Sequence, residues 1–120
     1  MKKVLLALFV LSFALPSFAG IKEKDVVGNW SYKIETDYDT MTGTLNFKMD
    51  GEKLVGEVFT GDGMAIPMTK VEIRENDVVY FELEVDYSKY TGTMNIDGKK
   101  YSGTVTQDGV EMSVEGEKLE

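Results

Sequence analysis

The chain contains nearly the same sequence twice: TGTLNFKMDGEKLVGEV at residues 42–58 and TGTMNIDGKKYSGTV at residues 91–105. The similarity extends upstream, where WSYKIETDYDTMTGT from Trp30 aligns with VYFELEVDYSKYTGT from Val79. The second copy lacks two residues before its Asp-Gly pair. Because strand side chains alternate with period two, this loss keeps every side chain on its original face. The chain is therefore predicted to contain two repeats of a four-stranded unit.

Asp-Gly pairs separate short segments in which apolar and polar residues alternate. Asp-Gly is a strong hairpin signal, because both residues tolerate the positive φ of a type I′ turn. The segments between these turns predict eight strands, at 28–36, 41–50, 53–60, 64–74, 77–87, 90–97, 100–107 and 110–116. Eight consecutive strands that close on themselves leave no exposed sheet edge. The predicted fold is all-β, an eight-stranded antiparallel up-and-down barrel.

One face of each predicted strand is apolar, and this face is expected to point into the barrel. Its residues include Trp30, Tyr32, Phe47, Met49, Phe81, Tyr101 and Val110. Glycines interrupt several strands, where they allow a barrel strand to coil sharply: Gly43, Gly56, Gly92 and Gly103. Pro67 is expected at a bend or an edge of the fourth strand. Because the strands are short and large aromatic residues point inward, we expect at most a shallow pocket in the interior.

The first nineteen residues differ from the rest of the chain. Lys2 and Lys3 precede an apolar run, and Ser17-Phe18-Ala19 places small residues at the −3 and −1 positions of a signal-peptidase site. The run is too short to cross a bilayer core of ~30 Å as a helix. We predict a signal peptide over 1–19, a single β-barrel domain over 20–120, and a protein that is exported, either periplasmic or secreted.

Composition excludes several classes of function. The chain has 21 acidic and 13 basic residues, a net charge of −8, which disfavours binding to nucleic acid. Charged residues alternate on the outer face, which disfavours insertion into a membrane. No histidine or cysteine is present, so Ser-His and Cys-His nucleophiles and the common zinc sites are excluded. We expect a protein that is not an enzyme and has no cofactor; calcium binding at acidic loops remains open.

The first strand opens with Gly28-Asn29-Trp30, which resembles the G-x-W opening of the lipocalin-like (calycin) barrels. The resemblance implies that Trp30 plugs one end of the barrel and that the other end opens. Lipocalins also keep an arginine from the last strands against this tryptophan. Here the only arginine is Arg74, in the middle of the chain.

Loops 37–41, 61–63, 86–90 and 107–109 are expected at the open end, because alternate connections of an up-and-down barrel share an end. The candidate ligand-binding residues in these loops are Tyr38, Tyr87, Tyr90, Asp37, Asp39 and Asp86. Aromatic faces with carboxylates suit a sugar, a cationic small molecule or a calcium ion. The same residues are also explained by turn formation, in which aspartate is common.

Two function classes follow from this pattern. The first is a binding barrel that takes a small, partly apolar ligand at the acidic, tyrosine-rich end. The second is a protein-interaction module without a small ligand, either an inhibitor-like protein or a structural protein of the envelope. Small periplasmic protease inhibitors also open with G-x-W and insert an N-terminal arm into the enzyme, and residues 21–27 are the candidate arm.

Overall fold

A computed structural model of the chain describes residues 20–119, and the predicted signal segment lies outside the described residues. Eight strands follow one another: β1 Gly28–Glu35, β2 Thr40–Asp50, β3 Lys53–Thr60, β4 Ala65–Arg74, β5 Val78–Val85, β6 Ser88–Asp97, β7 Lys100–Gln107 and β8 Val110–Leu119. Each strand pairs antiparallel with the next, and β1 pairs with β8, so the barrel is closed. The predicted fold class is confirmed.

Two short helical segments lie at the end of the barrel where β1 begins. Helix α1, Glu23–Val26, precedes β1, and a turn at Glu75–Asp77 connects β4 to β5. The backbone N–H of Ile21 donates to Asp77 Oδ1 at 2.8 Å, which joins the N-terminal segment to that turn. Within residues 20–119, neither helical segment is long and apolar enough to cross a bilayer.

Residues 21–27 close this end of the barrel. Val26 and Trp30 are completely buried, and the Trp30 indole Nε1–H donates to the Val26 carbonyl oxygen at 2.8 Å. Tyr101 packs edge-on against the indole, with 5.8 Å between ring centroids. A buried indole is stabilised when its one N–H group has an acceptor. The expectation that Trp30 plugs one end of the barrel therefore agrees with its position.

Strand β8 is longer than predicted. The sequence places its end at residue 116, but the strand continues to Leu119, because Asn29 pairs with Leu119 and Trp30 with Lys118. Pairing with β1 thus overrides the polar character of the sequence EGEKL. The ammonium group of Lys118 lies 5.6 Å from the centroid of the Trp30 ring. The last strand therefore supplies a lysine at the tryptophan, where lipocalins keep an arginine.

The alternation of apolar residues identifies the core correctly in most strands. Trp30, Phe47, Val79 and Met94 are almost or completely inaccessible to solvent. Two further residues of the predicted inward face are exposed: Met49, one residue before the end of β2, and Val110, at the start of β8. Both lie beside turns at the rims of the barrel, where an inward side chain has fewer neighbours to cover it.

Strands β3 and β4 pair over a short distance. Residues 57–59 pair with residues 65–67, so the ladder ends at Pro67. The register of β4 against β5 shifts between Met68 and Lys70. Proline cannot donate a backbone hydrogen bond, and it is found in sheets at edges and bulges. The predicted bend or edge position at Pro67 is consistent with this local irregularity.

Four aromatic residues lie directly opposite inward-facing glycines on the neighbouring strand. The pairs are Tyr32 with Gly43, Phe47 with Gly56, Phe81 with Gly92, and Tyr101 with Gly116. At every pair, a β-carbon added to the glycine would lie less than 3 Å from the ring. The ring occupies the space that a side chain would otherwise fill, an arrangement known to support glycine in strands.

Replacing Gly92 with alanine tests this arrangement. The added methyl group would lie 2.7 Å from Cε1 of Phe81 and closer still to Cζ. We expect Gly92→Ala to reduce the free energy of unfolding by about 1–3 kcal/mol, because the ring must leave a well-packed position. Urea denaturation monitored by circular dichroism measures this change.

Gly61→Ala is the matched control. Gly61 lies outside the strands, and its nearest contact would be 3.1 Å from the Thr42 carbonyl oxygen. We expect a smaller loss of stability from this variant. Equal stability of the Gly92 variant and the unaltered protein would show that the ring does not depend on the glycine.

Candidate functional site

A cavity occupies the barrel interior and opens at the end opposite Trp30. Its volume is about 320 Å³. All eight strands contribute lining residues, most of them apolar, including Ile34, Leu45, Val58, Leu83, Val105 and Val114. Binding sites for small molecules are typically concave, mostly apolar and roughly 300–1,000 Å³ in volume. The cavity has the size and lining of such a site.

The expectation of at most a shallow pocket is wrong. The cavity reaches Phe81, Met94 and Tyr101, which are buried in the core, and extends to Met41 and Met64, which are exposed at the opening. The aromatic–glycine pairs explain the difference. Each of these rings packs against a glycine on the adjacent strand, so it covers the wall and does not have to cross the interior. Methionine side chains adapt to irregular apolar space of this kind.

Asp62 contributes a carboxylate to the cavity lining, from the connection between β3 and β4. The Thr60 hydroxyl donates to Asp62 Oδ1, and this hydrogen bond lowers the pKa of the Asp62 carboxyl. The turn itself is closed by two bonds between Thr60 and Met64: Thr60 N–H to the Met64 carbonyl at 2.9 Å, and Met64 N–H to Thr60 Oγ1 at 3.0 Å. The sequence of the turn thus fixes an ionised carboxylate at the opening.

Three tyrosines also line the cavity: Tyr32, Tyr90 and Tyr101. The Tyr101 hydroxyl donates to the Ser31 carbonyl oxygen at 2.8 Å, across the junction of β7, β8 and β1. Among residues 20–119, the hydroxyls of Tyr32 and Tyr90 have no hydrogen-bond partner. Burial and the nearby Asp62 charge raise the pKa of Tyr32, so its hydroxyl remains a donor well above neutral pH. Two phenol groups are therefore free to bond with a ligand.

Of the three tyrosines predicted as ligand contacts, the structure places one in the cavity lining. Tyr90 is half-buried, and it lies opposite Leu83 and Gln107 on the neighbouring strands. Tyr38 and Tyr87 are fully exposed and lie outside the lining. Their role in binding remains a prediction.

The three predicted aspartates lie in turns outside the cavity lining. Asp86 forms a two-residue turn with Tyr87, and both have positive φ, 52° and 70°. Asp39 accepts the Thr40 backbone N–H through Oδ1 at 2.7 Å. Asp37 is exposed in the same β1–β2 connection. Asp39 thus stabilises its turn through a local bond, and Asp86 adopts the positive φ that its turn requires. The binding role of all three aspartates remains a prediction.

The sequence analysis missed Asp62 and Tyr32 as site residues. Asp62 belongs to an Asp-Gly pair that resembles the other turns, and only the Thr60 hydrogen bond distinguishes it. A threonine also stands two residues before the Asp108-Gly109 pair, so the sequence carries no signal that singles out Asp62. Tyr32 was recognised as inward-facing, but its position in a cavity depended on the glycine opposite to it, and thus on the strand register.

Solved structures with the same fold have low sequence identity to this chain. A redesigned β-barrel, b11L5F_LGL, is 16% identical with a TM-score of 0.65, covering 85% of this chain and 98% of that chain. A second redesigned barrel, mFAP1, bound to DFHBI, is 15% identical with a TM-score of 0.58; the match covers 81% of this chain and 97% of that chain. A Schistosoma mansoni fatty acid binding protein in complex with arachidonic acid is 16% identical with a TM-score of 0.53; the match covers 80% of this chain and 97% of that chain.

At these identities the likeness shows the fold alone, an eight-stranded antiparallel barrel. No protein-family model matches the chain, and no curated protein sequence matches it either. The relation to lipocalins thus remains a resemblance, based on the Gly28-Asn29-Trp30 opening of the first strand.

The buried Tyr101 predicts a loss of stability in alkali. Burial, followed by the charges of Tyr32 and Glu115, raises the pKa of Tyr101 far above its ordinary value of 10.0. A tyrosine with a raised folded-state pKa stabilises the fold fully below its unfolded pKa, and this stabilisation is lost as pH rises through the folded pKa. The free energy of unfolding should therefore fall from about pH 10 upward.

Tyr101→Phe should make this alkaline decline shallower. At neutral pH it should reduce the free energy of unfolding by about 1 kcal/mol, because the hydrogen bond to Ser31 is lost. Tyr38→Phe, at an exposed position, is the control and should leave the profile unchanged. Urea denaturation at a series of pH values measures both effects. An equally steep alkaline decline in the Tyr101→Phe variant would show that ionisation of Tyr101 does not cause the loss of stability.

Proposed function

We propose that the protein is an exported, non-enzymatic barrel that binds a small, largely apolar molecule in its interior cavity. The observation that supports this most directly is an apolar cavity of about 320 Å³ that is sealed at one end and open at the other. Burial of the apolar surface of a ligand there would supply the main driving force. The export part of the proposal rests on the sequence of residues 1–19.

Two free hydroxyls and one carboxylate would orient the ligand. Tyr90 lies in the cavity lining as a predicted contact, while Tyr32 and Asp62 extend the predicted set. Few polar groups in an otherwise apolar pocket are typical of specific small-molecule sites. The absence of histidine and cysteine from the chain supports a binding role over a catalytic one.

The alternative, a protein-interaction module with residues 21–27 as an inserting arm, receives no support from these contacts. Val26 is completely buried, and its carbonyl oxygen accepts the Trp30 indole N–H. Withdrawing this segment would expose the indole and leave its N–H without that acceptor. The segment therefore serves to close the barrel in this structure.

Filling the cavity should abolish binding of a small apolar probe. Val105 lines the cavity opposite Gly92 and Met112, so Val105→Trp would place an indole in the space available to a ligand. We expect the fluorescence of the uncharged dye N-phenyl-1-naphthylamine to increase when the unaltered protein is added to its solution. The variant should bind it at least about tenfold more weakly, because the indole takes the same volume.

Ser102→Trp is the matched control, since Ser102 is exposed on the same strand and does not line the cavity. It should bind the dye with the affinity of the unaltered protein. If the Val105 variant does not fold, Met41→Trp places the indole at the exposed rim of the cavity. Dye binding that is unchanged in the folded cavity variant would overturn the proposal.

A further inference from the structure

The charged and polar groups of the cavity restrict the kind of ligand that fits. No lysine or arginine lines the cavity among residues 20–119, whereas Asp62 contributes a carboxylate. The remaining polar lining groups are the hydroxyls of Thr60, Tyr32, Tyr90 and Tyr101. Since Thr60 donates to Asp62 and Tyr101 to Ser31, the groups left for a ligand are one carboxylate and two phenol hydroxyls.

The Asp62 carboxylate is held in place before any ligand arrives. The Gly63 N–H donates to the Thr60 carbonyl at 3.0 Å, and Met64 and Thr60 are joined by backbone and hydroxyl bonds. The Thr60 hydroxyl donates to Oδ1, and backbone N–H groups of Asp62 and Met64 also stabilise the ionised carboxyl. A carboxylate fixed in this way loses little conformational freedom when it binds a donor.

The field of Asp62 extends into the cavity. Its charge is one of the causes that raise the pKa of Tyr32, so the carboxylate acts on a ring of the cavity wall. Tyr32 and Tyr90 also present aromatic side chains, and aromatic faces attract cations. A positive group at the opening would therefore be favoured by the carboxylate and by the rings together.

Three lysines with defined ion pairs lie elsewhere on the barrel. Lys89 pairs with Glu82 at 3.3 Å, Lys70 with Glu72 at 3.5 Å and Lys33 with Glu35 at 3.6 Å. None of these lysines lines the cavity. A ligand carboxylate at the opening would therefore lie near the like charge of Asp62, with no cation of the lining to compensate it.

We propose that the cavity selects an apolar molecule that carries a protonated amine, with the ammonium group at Asp62 and the apolar part in the interior. This inference rests on the proposed function and specifies its ligand class. It separates this protein from the Schistosoma barrel that was solved with arachidonic acid, a carboxylic acid. The tail would be buried among apolar side chains, and the ammonium would donate to the Asp62 carboxylate, which has no lysine or arginine beside it in the cavity lining.

Three ligands with the same ten-carbon chain test the selection: decylamine, decanol and decanoate. Each competes with N-phenyl-1-naphthylamine for the full protein at neutral pH, below the concentration at which it forms micelles. We expect decylamine to displace the dye best and decanoate worst, with at least about a tenfold difference between their inhibition constants.

Asp62→Asn removes the charge that the inference depends on, and it should abolish most of this tenfold preference. Asp108→Asn is the matched control, because it removes one charge from a turn at the same end of the barrel without altering the cavity lining. Asparagine before glycine supports the same hairpin turn. This control should keep the preference within about twofold, which separates the local charge from the acidic surface as a whole.

The outcomes distinguish this inference from the function on which it rests. If the dye binds and all three ligands displace it equally, the cavity is a binding site and the selection for amines is wrong. The same conclusion follows if Asp62→Asn keeps the full preference, or if both aspartate variants lose it equally. If the dye itself does not bind, the proposed function fails together with the inference. Thermal melting of each variant verifies that it is folded.

Discussion

The packing of aromatic rings against inward-facing glycines is the constraint on which the rest of this structure depends. Tyr32, Phe47, Phe81 and Tyr101 would block much of an eight-stranded barrel if they pointed across it. Each instead lies against a glycine directly opposite on the adjacent strand, where no side chain competes for the space. Barrels of this size either fill with side chains or leave room for one small molecule. The glycines determine which of the two outcomes this chain adopts.

The two ends of the barrel differ because one is sealed by the chain itself. The segment before β1 covers the base, and the indole of Trp30 is buried with its N–H bonded to Val26. At the other end, short turns leave the interior accessible, and one of them carries the carboxylate of Asp62. A sealed base with an open, acidic rim gives a bound molecule a direction: its apolar part lies inward and a positive group lies outward.

Much of this architecture could be predicted from the sequence. Period-two alternation identified the inward faces, and the Asp-Gly pairs located most turns. The cavity could not be predicted in this way, because alternation shows which way Tyr32 points but not what lies opposite. That depends on register, and the register near Phe81 is set by a two-residue turn at Asp86 and Tyr87, which lacks the usual glycine. Asp62 was likewise indistinguishable from other turn aspartates until its bond to Thr60 was known.

Methionine methyl groups provide the most direct test that the interior is the binding site. Met41, Met64, Met94 and Met112 line the cavity, whereas Met49 does not and is exposed near the closed end. In a protein labelled with carbon-13 at the methionine methyls, titration with N-phenyl-1-naphthylamine should shift the four cavity signals and leave that of Met49 in place. Dye binding that shifts only Met49, or none of the four cavity signals, would show that the ligand does not enter the barrel.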